Sequence, residues 1–106
     1  ESFAVVAFRS RQHALYFSRI LKQEGYEAQM ISTPKGISIG CGLSLRFSPH
    51  KINEIMQVYK RNKVPIVGFY LIEKYGNITQ LKRIIATDSY LLESLVAFSA
   101  DIFHIL

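Results

Sequence analysis

The sequence predicts an α+β domain: a four-stranded antiparallel sheet carrying two helices in the order β-α-β-β-α-β, followed by a C-terminal helical extension. Three observations predict it. Two apolar, β-rich runs, residues 3–8 and 66–72, bracket the first part of the chain. A strictly alternating segment, Leu43-Ser44-Leu45-Arg46-Phe47, lies between them. Two intervening stretches instead repeat their apolar residues every three or four positions, the period of a helix with one buried face.

The first strand is Phe3-Ala4-Val5-Val6-Ala7-Phe8, a run that suits a central strand, and Arg9-Ser10-Arg11 ends it. Ser10 then caps a helix to about Glu24, whose buried stripe is Ala14, Leu15, Phe17, Ile20 and Leu21 and whose end is marked by Gly25. Residues 27–32 read as the second strand. The third is 43–47, with Leu43, Leu45 and Phe47 on one side and Ser44 and Arg46 on the other. Ser48-Pro49 is a capping serine followed by the proline that helices accept in their first turn. The helix it starts carries Ile52, Ile55, Met56 and Tyr59 and ends at Asn62 or Lys63. After Pro65 comes the fourth strand. This order is the split βαβ arrangement of ferredoxin-like domains.

The topology makes a geometric prediction. The loop after the first strand (Arg9, Ser10, Arg11, nearby His13), the connection between the second and third strands (Lys35, Cys41) and the turn before the fourth (Arg61, Asn62, Lys63) share one edge of the sheet. That edge collects basic charge. Residues 1–75 hold Lys and Arg in excess over Glu, and the net charge of the whole chain is +5.

Cys41 is the single cysteine and stands between Gly40 and Gly42. A lone thiol makes no internal disulfide and no multi-cysteine zinc site. It has two readings, a small buried hydrophobe or a presented nucleophile. A thiol of ordinary pKa, about 8.5, is mostly protonated at neutral pH, and nearby cations or inward-facing amides favour the reactive anion. The candidates for that role are Arg9, Arg11, Lys35 and Arg46 with the backbone at Gly40 and Gly42. His13 is the candidate proton-transfer group. Other chemistries fare poorly: His13, His50 and His104 have no metal-ligand spacing, and Thr33-Pro34-Lys35-Gly36 lacks the spacing of a phosphate-binding loop. No metal, no cofactor beyond sulfur or selenium held covalently on Cys41, and no enzymatic activity are expected. The opening Glu1-Ser2-Phe3-Ala4 lacks signal-peptide character, and no apolar run reaches the roughly 18 residues of a membrane span, so a cytoplasmic protein without membrane attachment is expected.

The stretch Ser32-Thr33-Pro34-Lys35 through Ile37-Ser38, then Cys41-Gly42-Leu43-Ser44-Leu45-Arg46-Phe47, resembles the motif of the small bacterial selenium/sulfur carrier-like proteins. Phe8, Ser10, His13 and Ala14 near the start and Gly68-Phe69-Tyr70 near the end extend the resemblance over about residues 3–74. It implies a carrier that holds sulfur or selenium on Cys41 as a persulfide or selenopersulfide, with protein donors and acceptors. Lys35 stands where the family pattern has arginine, which keeps the charge and loses the two-pronged grip on an anion.

Residues 76–106 lie outside the resemblance. Ile78, Leu81, Ile84 and Ile85, then Leu91, Leu92, Leu95, Val96, Phe98, Ile102, Phe103 and Leu106, recur at helical spacing, with Asp88 or Ser89 as a second cap. The expected organisation is a carrier-like domain over 1–75 and a helical extension over 76–106 that packs on the open sheet face or on the partner subunit of a homodimer. Two other functions fit the same topology: a small-molecule-sensing or oligomerising regulatory domain with a structural Cys41, and an RNA-binding domain. Nucleic acid is disfavoured because the outward positions of the third strand are Ser44 and Arg46 rather than stacking aromatics.

Overall fold

The computed structural model describes residues 1–37 and 42–84. The elements are β1 (Ser2–Phe8), α1 (Arg11–Gln23), β2 (Gln29–Ser32), β3 (Leu43–Phe47), a 3-10 turn (Pro49–Lys51), α2 (Ile52–Asn62), β4 (Ile66–Tyr75) and β5 (Ile78–Ile84). The strands form one sheet in the order β2-β3-β1-β4-β5. Every neighbouring pair is antiparallel.

The β-α-β-β-α-β frame is present, with β1 in the centre as its continuous apolar run requires. Alternation on the strands separates two faces. Ala4, Val6, Phe8, Leu45, Phe47, Phe69 and Leu71 meet Ala14, Phe17, Ile20 and Leu21 of α1 and Ile52, Ile55, Met56 and Val58 of α2 in one core. Both helices therefore cover the same face. Phe17 and Leu45 are fully buried, and each such side chain contributes about 1.5–3 kcal/mol of transfer free energy. Leu15, expected in the stripe of α1, is instead exposed, because it lies about a third of a turn away from the Ala14–Phe17–Leu21 side that meets the sheet.

Two expectations are corrected. The sheet has five strands rather than four, and residues 78–84 are β5 rather than a helix. Ile78, Leu81 and Ile84 do recur every three positions, but the tight loop before them decides the outcome. Tyr75 pairs with Ile78 across Gly76-Asn77, a two-residue hairpin connection of the kind glycine and asparagine favour. The hairpin extends β4 to Tyr75 and covers what would be its open edge. Its register places Ile84 in the helix-side core and inserts Lys82, whose side chain is 3% exposed, where its Nζ meets Glu73 Oε1 at 2.9 Å. The remainder of the expected extension, residues 85–106, lies outside the described residues, as do Ser38, Ile39, Gly40 and Cys41.

Candidate functional site

The registers fix which connections share an end of the sheet. Ser32 pairs with Leu43, Ala7 with Ser44, and Phe8 with Ile66. The β1–α1 connection, the segment between β2 and β3, and the α2–β4 turn thus leave from one end, as the topology predicts. This is called the loop end below.

The segment between β2 and β3 is closed at its base. The Thr33 amide donates to the Gly42 carbonyl at 2.9 Å, and the Thr33 and Ser44 hydroxyls share a hydrogen bond of 2.8 Å. Ser44 is fully buried, so this bond satisfies a hydroxyl that would otherwise be buried unpaired. The two halves of the motif, Ser32-Thr33-Pro34-Lys35 and Gly42-Leu43-Ser44, are joined through Thr33. Beyond Thr33 the chain turns over Pro34–Ile37, with the Ile37 amide on the Pro34 carbonyl at 3.3 Å and Gly36 at φ +99°. A turn of this kind needs a left-handed residue at its third position. A Cβ at Gly36 would also lie 2.9 Å from Leu81 Cδ2. The turn delivers Ile37 into a cluster with Ala7, Val67, Tyr70 and Leu81 on the face opposite the helices. At the other stem Gly42 is exposed and holds φ +88°. Cys41 itself lies outside the described residues, together with Gly40.

The expected cations divide. Arg9, Arg11 and Lys35 are at the loop end and exposed, and no ion pair to a carboxylate engages them among the described residues. Arg46 is not brought there. It lies four residues along β3 from Gly42, roughly 13 Å at strand spacing. Its guanidinium donates to Glu1 Oε2 at 3.0 Å and stands 4.0 Å from the centre of the Phe3 ring. Arg61 is likewise directed away, its guanidinium on Glu24 Oε1 at 2.7 Å. Lys63 ends α2 in a left-handed conformation, with its amide on the Tyr59 carbonyl at 2.8 Å.

His13 sits in the first turn of α1, where its amide donates to the Ser10 hydroxyl at 3.2 Å, the capping bond expected of that serine. Its Nδ1 is buried without a hydrogen-bond partner among the described residues. The first turn of α1 holds no acidic residue and opens with Arg11, so neither the helix dipole nor the arginine is neutralised there. Two participants escaped the sequence reading. Ser44, an outward position in the alternation of β3, is buried and bonded to Thr33. Arg83, whose Nη2 donates to the Val67 carbonyl at 3.1 Å, depended on β5 being a strand.

The described residues include no group of three or more His, Cys, Asp or Glu placed to hold a metal, and no helix long and apolar enough to cross a membrane. No curated protein and no solved structure matches the chain. The family model described as Putative Se/S carrier protein-like matches residues 3–71, which takes in β1 through most of β4 and the whole Thr33–Phe47 motif. The chain belongs to that family.

Proposed function

We propose that this protein carries sulfur or selenium on Cys41 and passes it between protein partners. The observation that carries the reading is the separation of charge along the sheet. Among the described residues the carboxylates Glu1, Glu27, Glu54 and Glu73 belong to the end away from the loop, and Glu24 is held by Arg61. Arg9, Arg11, Lys35 and Lys63 stand at the loop end. A persulfide is a stronger acid than a thiol and is held as an anion, and cations at an end where the described residues place no unpaired carboxylate favour both it and the thiolate that precedes it. Cys41 is one peptide bond from Gly42 at that end. Family membership supports the cargo.

In the loading step the Cys41 thiolate attacks the outer sulfur of a donor persulfide, R–S–SH. The donor S–S bond breaks, R–S⁻ leaves, and Cys41–S–SH forms with no external oxidant. Unloading is the same exchange toward an acceptor thiolate. His13 takes the thiol proton before loading. Arg9, Arg11 and Lys35 hold the anion, and the amides at Gly40 and Gly42 assist. Arg46 has no part in this scheme, because Glu1 and Phe3 engage it.

The test is intact-mass spectrometry of protein incubated with a persulfide donor and handled without reductant. One added sulfur on the wild type, absent from Cys41→Ser and removed by dithiothreitol, is the expected result. A wild-type protein that gains no mass, with a thiol that alkylates only after unfolding, overturns the reading.

A further inference from the structure

The two helices pack on the same face of the sheet, yet their solvent faces differ in kind. That of α2 is mixed and settled: Glu54 pairs with Lys51 and accepts from Tyr26, Arg61 pairs with Glu24, and every exposed side chain of the helix is polar. α1 contains no carboxylate at all. At about 100° per residue, its Arg11, Leu15, Arg19 and Lys22 fall within an arc of roughly 80°, turned away from the side that meets the sheet. Leu15 and its neighbour Tyr16 are 46% and 48% exposed. The other large apolar or aromatic side chains so exposed among the described residues, Tyr75 and Ile78, sit at the tip of the β4–β5 hairpin.

The fold gains little from the charges of α1. No ion pair to a carboxylate engages Arg11, Arg19 or Lys22 among the described residues. Arg11 stands at the positive end of the helix dipole, and Arg19 and Lys22 form a like-charged pair three positions apart, both unfavourable to the helix. Only Lys22, in the last turn, suits the dipole.

We infer that this stripe of α1 is a docking surface for an acidic protein partner, one that presents carboxylates around an apolar contact. That the partner is the donor or acceptor of the sulfur rests on the function proposed above. The chemistry of the stripe selects the occupant. Leu15 lies one turn from Arg11 and one turn from Arg19, so an apolar centre with a cationic rim faces outward, the complement of an apolar contact with an anionic rim. A phosphate backbone would engage the cations and offer nothing to Leu15. A membrane surface would need a broader apolar face, and Ala14, Phe17, Ile20 and Leu21 are committed to the core. A second copy of the chain docking through the same stripe would set cations against cations. Position fits as well: the stripe runs roughly 16 Å from Arg11 to Lys22, so a partner lying along it has one end at the loop end of the sheet.

The test is an NMR titration of the labelled full chain with two helical peptides that share a leucine centre and carry either glutamate or lysine around it. The glutamate peptide should shift amides of residues 11–23 saturably, with an affinity that falls on the order of tenfold from low to physiological salt. Leu15→Asp, and Arg19→Glu combined with Lys22→Glu, should each weaken binding on the order of tenfold or more. Lys51→Glu, the same charge change beside α2, should leave it unchanged, and unshifted core amides in each variant show that the fold is intact. Equal binding of the lysine peptide, shifts confined to other elements, or tighter binding of an RNA duplex or of anionic phospholipid vesicles overturns the inference. Loading from a small-molecule persulfide, read by intact mass, separates this claim from the carrier reading. The α1 variants should load as the wild type does, and loss of loading in them would assign the stripe to Cys41 itself and overturn docking. A wild type that takes up no sulfur yet binds the glutamate peptide removes the partner's role as donor or acceptor and leaves the docking surface standing.

Discussion

The two ends of the sheet are built from the same strands and differ in how their charges are settled. At the end away from the loop, cations meet carboxylates: Arg46 with Glu1, Lys51 with Glu54 and Lys82 with Glu73, while Arg61, in the last turn of α2, reaches Glu24. At the loop end Arg9, Arg11 and Lys35 have no such partner among the described residues, the capped N-terminus of α1 adds its positive dipole, and the backbone is shaped by Gly36 and Gly42. Exposed ion pairs contribute little to stability, so the lesson concerns field rather than strength. One end is near neutral. The other carries Arg9, Arg11 and Lys35, which no carboxylate among the described residues engages.

The largest expected effect is also the simplest. Cys41→Ser should abolish loading of sulfur or selenium entirely, as read by intact mass, while leaving thermal unfolding within a degree or two of the wild type. The comparison between the ends is sharpened by reversing charge at each. Arg9→Glu, Arg11→Glu and Lys35→Glu together should slow alkylation of Cys41 at neutral pH on the order of tenfold, the change expected if the thiol pKa rises by about one unit. Arg46→Glu, at the other end, should leave the rate unchanged. Equal slowing by both would remove the distinction between the two ends.

A smaller effect tests the closure of the loop. Ser44→Ala strands the Thr33 hydroxyl beside a buried site and should lower unfolding stability by about 1 kcal/mol in urea titration. Gly42→Ala meets no steric obstacle, yet asks alanine to hold φ +88°, and should lower it by about 1 kcal/mol as well. The smallest effect belongs to the other end. Tyr26 donates to Glu54 Oε1 at 3.1 Å, and this bond, with the nearby carboxylate charge, raises the phenol above its ordinary pKa. The sign follows: the bond's contribution is fully present below the ordinary tyrosine pKa and is lost as pH rises through the raised one. A difference titration of phenolate absorbance between wild type and Tyr26→Phe should show late ionisation, and Glu54→Gln should bring it forward.

Local signals carried most of the fold. The continuous apolar run in β1, the alternation at Leu43–Phe47, Ser10 and Ser48-Pro49 as helix starts, and glycine after α1 each describe one element by its own periodicity or cap. The split βαβ order then brought the β1–α1 connection, the Lys35 segment and the α2–β4 turn to one end before any coordinate was needed. The failure at Ile78–Ile84 has a definite cause. Apolar residues every three positions fit a helix when counted alone, whereas the Gly76-Asn77 hairpin beside them turns the chain back as a strand. Arg46 is five residues from Cys41 along the chain, yet it stands four strand positions from Gly42, where Glu1 engages it.

What the sequence determined by itself was the set of elements, their order, and a lone thiol between glycines in a basic domain, because these depend on neighbours a few residues apart. Tertiary structure alone decided that Thr33 and Ser44 tie the motif's halves together, that Leu81 of β5 meets Gly36 and Ile37 across the sheet, and that Arg46 and Arg61 are taken by Glu1 and Glu24. Those contacts join residues far apart in the chain, and a strand register that no local pattern encodes is what brings them together.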